Sequence, residues 1–204
     1  MIGIIDYGRG NLHSVENALN YIGADCIASS DKKVLDRCDK LILPGVGAFR
    51  DAMESLQRAD MVSYVKENKR PILGICLGMQ LLFDRSYEFG ECDGLSLIEG
   101  EVVKLEAYQN DRKYKIPHMG WNSLEIRENQ PLFKGIESGV YTYFVHSYKC
   151  VPKNESDIAS TTYYGEEICA SVRSGNVFGT QFHPEKSGEK TGLVMLKNFV
   201  EYGN

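Results

Sequence analysis

A single cysteine stands between two glycines in the stretch GICLGMQ, which contains Gly74, Cys76 and Gly78. This spacing is typical of a sharp turn from a strand into a helix, because side chains two positions either side of a nucleophile would collide there. Such a turn holds the cysteine outward at a helix N-terminus, where the helix dipole favours a thiolate. Free cysteines are also common buried packing residues, so this stretch alone leaves both interpretations open.

His183 and Glu185 follow an alternating strand pattern in the stretch TQFHPEKS. A thiol nucleophile needs a base within hydrogen-bonding reach, and the base needs a third group that fixes its tautomer and supports its positive charge. Pro184 keeps His183 out of helical geometry, so the side chains either side of the proline can project together from a strand end. A solvated turn would explain HPE alone, and the pairing with the cysteine turn favours a catalytic triad.

The stretch LPGVGAF, residues 43–49, suggests a binding site for a negatively charged oxygen. Attack on an amide builds negative charge on oxygen, and backbone N–H groups at a Gly-rich turn can hold it. Gly45 and Gly47 can adopt positive φ, whereas the β-branched Val46 cannot easily do so. We therefore expect the amides around Val46 and Gly47, with the amide of Leu77, to be the oxyanion donors. A plain tight turn is the alternative.

A further Gly-x-Gly stretch, DYGRGNLHS, could open a phosphate-binding helix N-terminus. It lacks the third glycine of the dinucleotide fingerprint, and His13 stands in that place. The sequence also contains no carboxylate pair, H-E-x-x-H motif or Walker motif. We therefore expect no cofactor and no metal.

The elements that must position these residues alternate between short β-rich runs and helical patterns in the first half of the chain. The predicted strands there are 2–7, 26–29, 40–45 and 71–76, with a helix over 11–23 that stops at Gly23. Continuous apolar runs in this βαβ order are typical of parallel strands covered on both faces. From Gly100 onward, strand candidates separated by turn residues follow, and a last helix covers about 191–202.

This pattern predicts an α/β fold with an open, mostly parallel but mixed central sheet flanked by helices. The 204 residues, 43% of them hydrophobic, suit one domain over 1–204. In such sheets, reactive groups gather at the carboxyl ends of the strands, so the cysteine, the HPE stretch and the Gly-rich turn should meet there.

Composition excludes several classes of protein. The net charge of −5 and the scattered 23 Lys and Arg residues argue against nucleic acid as a partner. The first residues lack a signal-peptide pattern, and no apolar run approaches a membrane span, so we expect a cytoplasmic protein without a membrane partner. Six cysteines without a CxxC pair suggest neither a disulfide framework nor a zinc site.

GICLGMQ, PGVG and HPE together resemble the class I, triad-type glutamine amidotransferases. These domains hydrolyse L-glutamine through a thioester and pass the released ammonia to a synthase. The resemblance implies their flavodoxin-like fold, with Cys76 as the nucleophile, His183 as the general base and acid, and Glu185 as the orienting carboxylate.

Other stretches narrow the resemblance, namely DYGRGNLHSV, PHMGWN, YFVHSY, FHPEKS and the Val46 that separates the two glycines. They are similar to the glutaminase subunits of imidazole glycerol phosphate synthase, which form a heterodimer with a cyclase subunit. That enzyme makes imidazole glycerol phosphate and AICAR in histidine biosynthesis. In these subunits the Gly-Val-Gly peptide is thought to turn toward the oxyanion only when the partner binds its own substrate.

The same resemblance implies further site residues. Positions that hold the amino-acid end of glutamine correspond to Gln80, Ser147 and Tyr148, and positions at the cyclase interface correspond to Trp121 and Lys186. Two alternatives stay open at this point. One is a glutaminase subunit of another synthase, such as that of the aminodeoxychorismate or pyridoxal phosphate pathway. The other is a non-catalytic protein on a similar sheet that uses Cys76 as a redox sensor.

Overall fold

The computed structural model describes residues 1–106, 108–109 and 112–203. Its helices are α1 (Leu12–Tyr21), α2 (Lys32–Leu35), α3 (Phe49–Arg58), α4 (Val62–Glu67), α5 (Leu77–Leu81) and α6 (Leu193–Glu201). Short 3-10 turns lie at Pro131–Phe133, Glu155–Asp157 and Pro184–Lys186, and one π-helical turn, Gly188–Gly192, precedes α6. Within these residues no helix is both long and apolar enough to cross a lipid bilayer.

The strands carry the rest of the architecture. They are β1 (Ile2–Ile5), β2 (Cys26–Ser29), β3 (Lys40–Gly45), β4 (Ile72–Cys76), β5 (Phe83–Ser86), β6 (Cys92–Asp93), β7 (Ile98–Lys104), β8 (Tyr108–Gln109), β9 (Arg112–Lys113), β10 (His118–Ser123), β11 (Glu125–Ile126), β12 (Tyr141–His146), β13 (Tyr148–Pro152), β14 (Ile158–Tyr163), β15 (Glu167–Ser174) and β16 (Val177–Thr180).

Eight strands form the central sheet, in the order β11-β14-β15-β16-β4-β3-β1-β2. The five strands from β16 to β2 are parallel, and β15, β14 and β11 extend the sheet antiparallel. A second sheet has the order β13-β7-β5-β6, and β10 pairs with β12 in a separate two-stranded ribbon. The predicted mixed, mostly parallel sheet is therefore confirmed.

Both faces of the parallel strands are covered. Every residue of β1, β3 and β4 is buried, as continuous apolar runs require of strands with helices on two sides. Along β3, Leu41 and Leu43 lie in one apolar cluster with Leu56 of α3, whereas Ile42 lies in the other cluster with Phe199 of α6. The side chains of one strand thus alternate between two cores.

The first-half predictions are confirmed with small differences in the boundaries. Strands 26–29 and 40–45 agree to the residue, while the runs at 2–7 and 71–76 form shorter strands. Gly23 has a φ of 74° and ends α1 as expected. The second half departs further, because Leu124 separates β10 from β11 and Ser147 separates β12 from β13.

Several strands have no counterpart in the sequence prediction, namely β5, β6, β8 and β9. The helix after the cysteine has only five residues, and the chain enters β5 almost immediately. The run MQLLF is apolar throughout, so its hydrophobic periodicity cannot distinguish a short buried helix from a strand. The change from α5 to β5 is therefore not visible in the sequence.

The backbones of β3, β4 and α5 approach one another so closely that only glycine fits between them. A β-carbon at position 78 would lie 1.8 Å from the carbonyl oxygen of Leu43, and one at Gly74 would lie 2.6 Å from the carbonyl oxygen of Gly78. A β-carbon at Gly45 would lie 2.6 Å from the amide nitrogen of Gly78. The turn after β4 therefore lies directly against the end of β3.

Replacing Gly78 by alanine should destabilise the fold by about 3 kcal/mol, because backbone atoms of β3 cannot yield as a flexible side chain would. Urea unfolding of the variant measures the loss. Gly23→Ala is the comparison variant. Gly23 has a positive φ, which Gly78 lacks, but has open space where a β-carbon would lie, so this substitution should cost only about 1 kcal/mol. Equal losses in the two variants would contradict the close-approach argument.

Candidate active site

Cys76 occupies a strained position at the carboxyl end of β4. Its φ is 55° and its ψ is −110°, a conformation that is uncommon for any residue other than glycine. It directly precedes the first turn of α5, and its side chain is largely buried, with 7% of the residue exposed. The sharp strand-to-helix turn predicted from the glycine spacing is therefore present.

His183 and Glu185 reach the same edge of the sheet from the neighbouring strand. β16 pairs parallel with β4, with Thr180 opposite Ile75, so the segment after β16 leaves the sheet beside Cys76. Nδ1 of His183 lies 2.8 Å from Oε1 of Glu185. Both side chains are buried, at 4% and 1% exposed. A carboxylate only accepts, so Nδ1 is the donor and the ring presents its other nitrogen, Nε2, elsewhere.

The protonation of His183 is set by its two neighbours. Burial opposes a charge on the ring, but the neighbouring Cys76 and Glu185 outweigh it and raise the pKa of His183 from 6.5 to about 9. Nε2 of His183 and Oε2 of Glu185 are buried and complete no hydrogen bond with the described residues. The ring thus has one nitrogen committed to Glu185 and one available for proton exchange.

A cavity of about 340 Å³ opens over these residues. Its lining includes Cys76 and His183 and also the predicted oxyanion and substrate residues, namely Val46, Gly47, Leu77, Gln80, Ser147 and Tyr148. Glu185 lies behind His183 and does not line the cavity. A nucleophile, a base and a Gly-rich turn thus face one space large enough for an amino-acid side chain.

The Gly-rich turn after β3 is braced by Tyr7, in the segment that follows β1. The hydroxyl of Tyr7 donates to the carbonyl oxygen of Pro44 at 2.9 Å, and this anchors the chain just before Val46. Gly47 has a φ of 94°, as expected, whereas Gly45 lacks positive φ and is glycine because it approaches the amide of Gly78. The two glycines therefore serve different purposes, one for backbone conformation and one for close contact.

Two residues of the site were missed by sequence reasoning. Glu88 lines the cavity, and its Oε2 accepts from the amide of Phe49 at 2.7 Å. Gln181 is fully buried, and its Nε2 lies 3.8 Å from Sγ of Cys76. An isolated glutamate in a loop carries no local signal, while Gln181 lies two residues before His183 and could have been suspected.

The two predicted interface residues lie outside the cavity. Trp121, on β10, is 52% exposed, and its ring packs edge-on against Tyr143 of β12 with 5.9 Å between centroids. The carbonyl oxygen of Tyr143 accepts from the amide of His183 at 2.9 Å. Lys186 is exposed and ends the short turn that carries Glu185. Both residues are therefore accessible. Trp121 is connected to His183 through Tyr143, and Lys186 directly follows Glu185 in the chain.

Cys76, His183 and Glu185 meet at the carboxyl edge of a mixed sheet, an arrangement that suits a triad-type hydrolase. The family model described as glutamine amidotransferase class-I matches residues 3–202, and the chain belongs to this family. Within the part of the chain that the structure describes, no group of three His, Cys, Asp or Glu side chains could hold a metal ion.

Similar proteins narrow the relationship. Imidazole glycerol phosphate synthase subunit HisH of Caldanaerobacter subterraneus is 54% identical over 98% of both chains. The HisH subunit of Sulfurimonas denitrificans is 49% identical over 100% of this chain and 99% of its own. The chain is therefore a member of the HisH subunit family.

Solved structures support the fold alone. A glutamine amidotransferase crystal structure gives a TM-score of 0.75 at 18% identity and covers 98% of this chain and 97% of its own. The structure of PurLQS from Thermotoga maritima gives a TM-score of 0.71 at 22% identity. The match covers 100% of this chain and 98% of that one.

The raised pKa of His183 should make stability depend on pH. A folded-state pKa of about 9 against 6.5 unfolded means that this stabilisation is complete below pH 6.5 and is lost as the pH rises through 9. We expect a loss of about 3 kcal/mol in the free energy of unfolding between those limits, measured by urea unfolding at several pH values. His183→Asn should remove this component and leave only the slope due to Lys, Tyr and Cys groups. Equal slopes in the two proteins would contradict the assignment.

Proposed function

We propose that the chain hydrolyses L-glutamine to glutamate and ammonia through a thioester on Cys76. It delivers the ammonia to the cyclase subunit of imidazole glycerol phosphate synthase in histidine biosynthesis. The observation that carries the proposal is the strained Cys76 facing one cavity together with the buried His183–Glu185 pair. A redox sensor would need the thiol but neither the base nor its orienting carboxylate.

The chemical steps follow from this geometry. The proton of the Cys76–His183 pair resides on Nε2 of His183, whose raised pKa holds it there at neutral pH, and Sγ attacks the side-chain amide carbon of glutamine. The resulting oxyanion is held by the amides of Val46, Gly47 and Leu77. His183 returns the proton to the leaving nitrogen, so that ammonia departs and a thioester remains. Water then attacks the thioester with His183 as base, and glutamate leaves as the thiol reforms.

The remaining cavity residues bind the amino-acid end of glutamine. Glu88 provides a carboxylate at the cavity wall that suits the substrate ammonium group. Gln80, Ser147 and Tyr148 line the same wall. Glu185 does not touch the substrate and acts by fixing Nδ1 of His183 as a donor.

The partner follows from the product. Ammonia released into neutral water would mostly take up a proton and lose its nucleophilic lone pair, so hydrolysis should be coupled to a docked synthase. The accessible Trp121 and Lys186, beside the triad, form the contact with the cyclase subunit in a heterodimer. We infer that the chain works in the cytoplasm, as one domain over 1–204 and without a cofactor of its own.

Cys76→Ser should abolish ammonia release from glutamine in the complex with the cyclase subunit, because a serine hydroxyl is a far weaker nucleophile beside this base. The assay measures glutamate formation with the cyclase ligand present. Cys92→Ser is the matched control, since Cys92 is a partly exposed free cysteine outside the cavity and should leave turnover unchanged. Normal turnover in Cys76→Ser would exclude the thioester mechanism.

Glu185→Gln should lower kcat at least about 100-fold while the variant still folds.

Trp121→Ala should weaken binding of the cyclase subunit by about 30-fold, because exposed aromatic anchors at interfaces are typically worth about 2 kcal/mol. Calorimetric titration of the two subunits measures the affinity. Ile27→Ala is the control, since Ile27 is an apolar side chain, 38% exposed, on β2, the edge strand of the central sheet. An unchanged affinity in Trp121→Ala would place the interface elsewhere.

A further inference from the structure

Two buried histidines outside the triad connect the cavity wall to the outer strand β10. Nδ1 of His146 lies 2.9 Å from the carbonyl oxygen of Tyr148, and Nε2 of His146 lies 3.0 Å from Nδ1 of His118. Nε2 of His118 lies 3.0 Å from Oδ1 of Asn122, whose Nδ2 donates to the carbonyl oxygen of Tyr163. His118 is 1% exposed and His146 is 5% exposed. The proposed chemistry uses neither ring.

The direction of this chain of hydrogen bonds is fixed at its inner end. The carbonyl oxygen of Tyr148 can only accept, so Nδ1 of His146 must carry a proton. Burial, together with the charges of His118 and His183, lowers the pKa of His146 to about 3, and the ring is therefore neutral near pH 7. Its Nε2 then presents a lone pair to Nδ1 of His118. Burial also lowers the pKa of His118, and the single proton of that neutral ring serves either this contact or the one to Oδ1 of Asn122.

His118 is held in place independently of these bonds. Its ring stacks on Tyr164 with 3.9 Å between centroids and on Phe144 with 4.9 Å, and both interplanar angles are 20° or less. A ring held between two aromatic faces cannot turn freely, so it presents Nδ1 to His146 in one orientation. The pair is therefore rigid as well as hydrogen-bonded.

The inner end of the chain reaches the reacting thiol. The carbonyl oxygen of Tyr148 also accepts from Nε2 of Gln80 at 3.2 Å, and the same Nε2 donates to Oε1 of Gln181 at 3.0 Å. Nε2 of Gln181 in turn contacts Sγ of Cys76 at 3.8 Å. A displaced Tyr148 carbonyl would therefore disturb the wall that holds glutamine and the amide that faces the nucleophile.

We propose that His118 and His146 are positioning residues for glutamine hydrolysis, which fix the Tyr148 carbonyl and through it Gln80 and Gln181. The inference rests on the proposed glutaminase function. Because the pair acts through a defined donor, the N–H at the Nδ1 position of His146 matters more than the volume of its ring.

Two substitutions at His146 distinguish a hydrogen-bond donor from a side chain that only fills space. In the complex with the cyclase subunit and its ligand, His146→Ala should lower kcat/KM for glutamine about 30-fold, as small displacements of positioned groups do. His146→Asn has an amide N–H near the position of Nδ1 and should restore most of that loss, although it also lacks the ring. Co-elution with the cyclase subunit verifies that both variants fold. An Asn variant no better than Ala, or an Ala variant with normal kcat/KM, would overturn the proposal.

The tautomer is a second and independent readout. Long-range ¹H–¹⁵N spectra of the histidine-labelled wild-type chain at pH 6.5–8.5 should show His146 protonated at Nδ1 and bare at Nε2, with His146→Asn providing the assignment. A proton on Nε2 of His146 would overturn the proposal, and this spectrum needs neither glutamine nor partner. A wild-type complex without glutaminase activity would overturn the proposed function and the role of the pair with it. An active wild type with an unaffected His146→Ala would overturn only the role of the pair.

Discussion

The contact between the backbone of Gly78 and the carbonyl oxygen of Leu43 sets the geometry of the whole site. It brings the first turn of α5 against the end of β3, so that the chain must leave β4 through the positive φ of Cys76. Gly45, at the end of β3, lies against the amide of Gly78 in the same region. The turn that begins at Gly45 carries the proposed oxyanion donors. One close approach of two backbones therefore positions both the nucleophile and the oxyanion turn. The strained backbone of Cys76 is maintained by the tight packing of β3, β4 and α5 around it.

The buried carboxylate of Glu185 is the second costly feature, and it is compensated by charge. Removing an ionised carboxylate from water is unfavourable unless it is paired, and His183 supplies the partner at 2.8 Å. The same pairing raises the pKa of His183, which keeps a proton available beside Cys76 at neutral pH. Oε2 of Glu185 and Nε2 of His183 remain without hydrogen bonds to described residues, so this arrangement gives up some hydrogen bonding in order to leave one ring nitrogen open.

Glycine spacing and the HPE stretch predicted the geometry of the nucleophile turn and the meeting of Cys76 with His183, because both depend on local backbone sterics and on the shared edge of parallel strands. The strand boundaries of the first half were also predictable, since continuous apolar runs bounded by turn residues are unambiguous there. Strand β5 was not, because the buried run MQLLF has no period. Neither Glu88 nor the His118–His146 contact could be predicted, since each depends on tertiary pairing of residues that carry no pattern in the sequence.

The β10–β12 ribbon connects the outer surface of the chain to the base and the nucleophile. β12 provides the carbonyl of Tyr143 to the amide of His183, and the carbonyl oxygen of Val145 lies 3.8 Å from Sγ of Cys76. The ribbon forms its own two-stranded sheet and is held against the core by buried side chains such as His118 and Phe144. Trp121 lies on the outer strand of this ribbon. Its ring packs on Tyr143, so one residue joins this exposed surface to the carbonyl that accepts from the amide of His183.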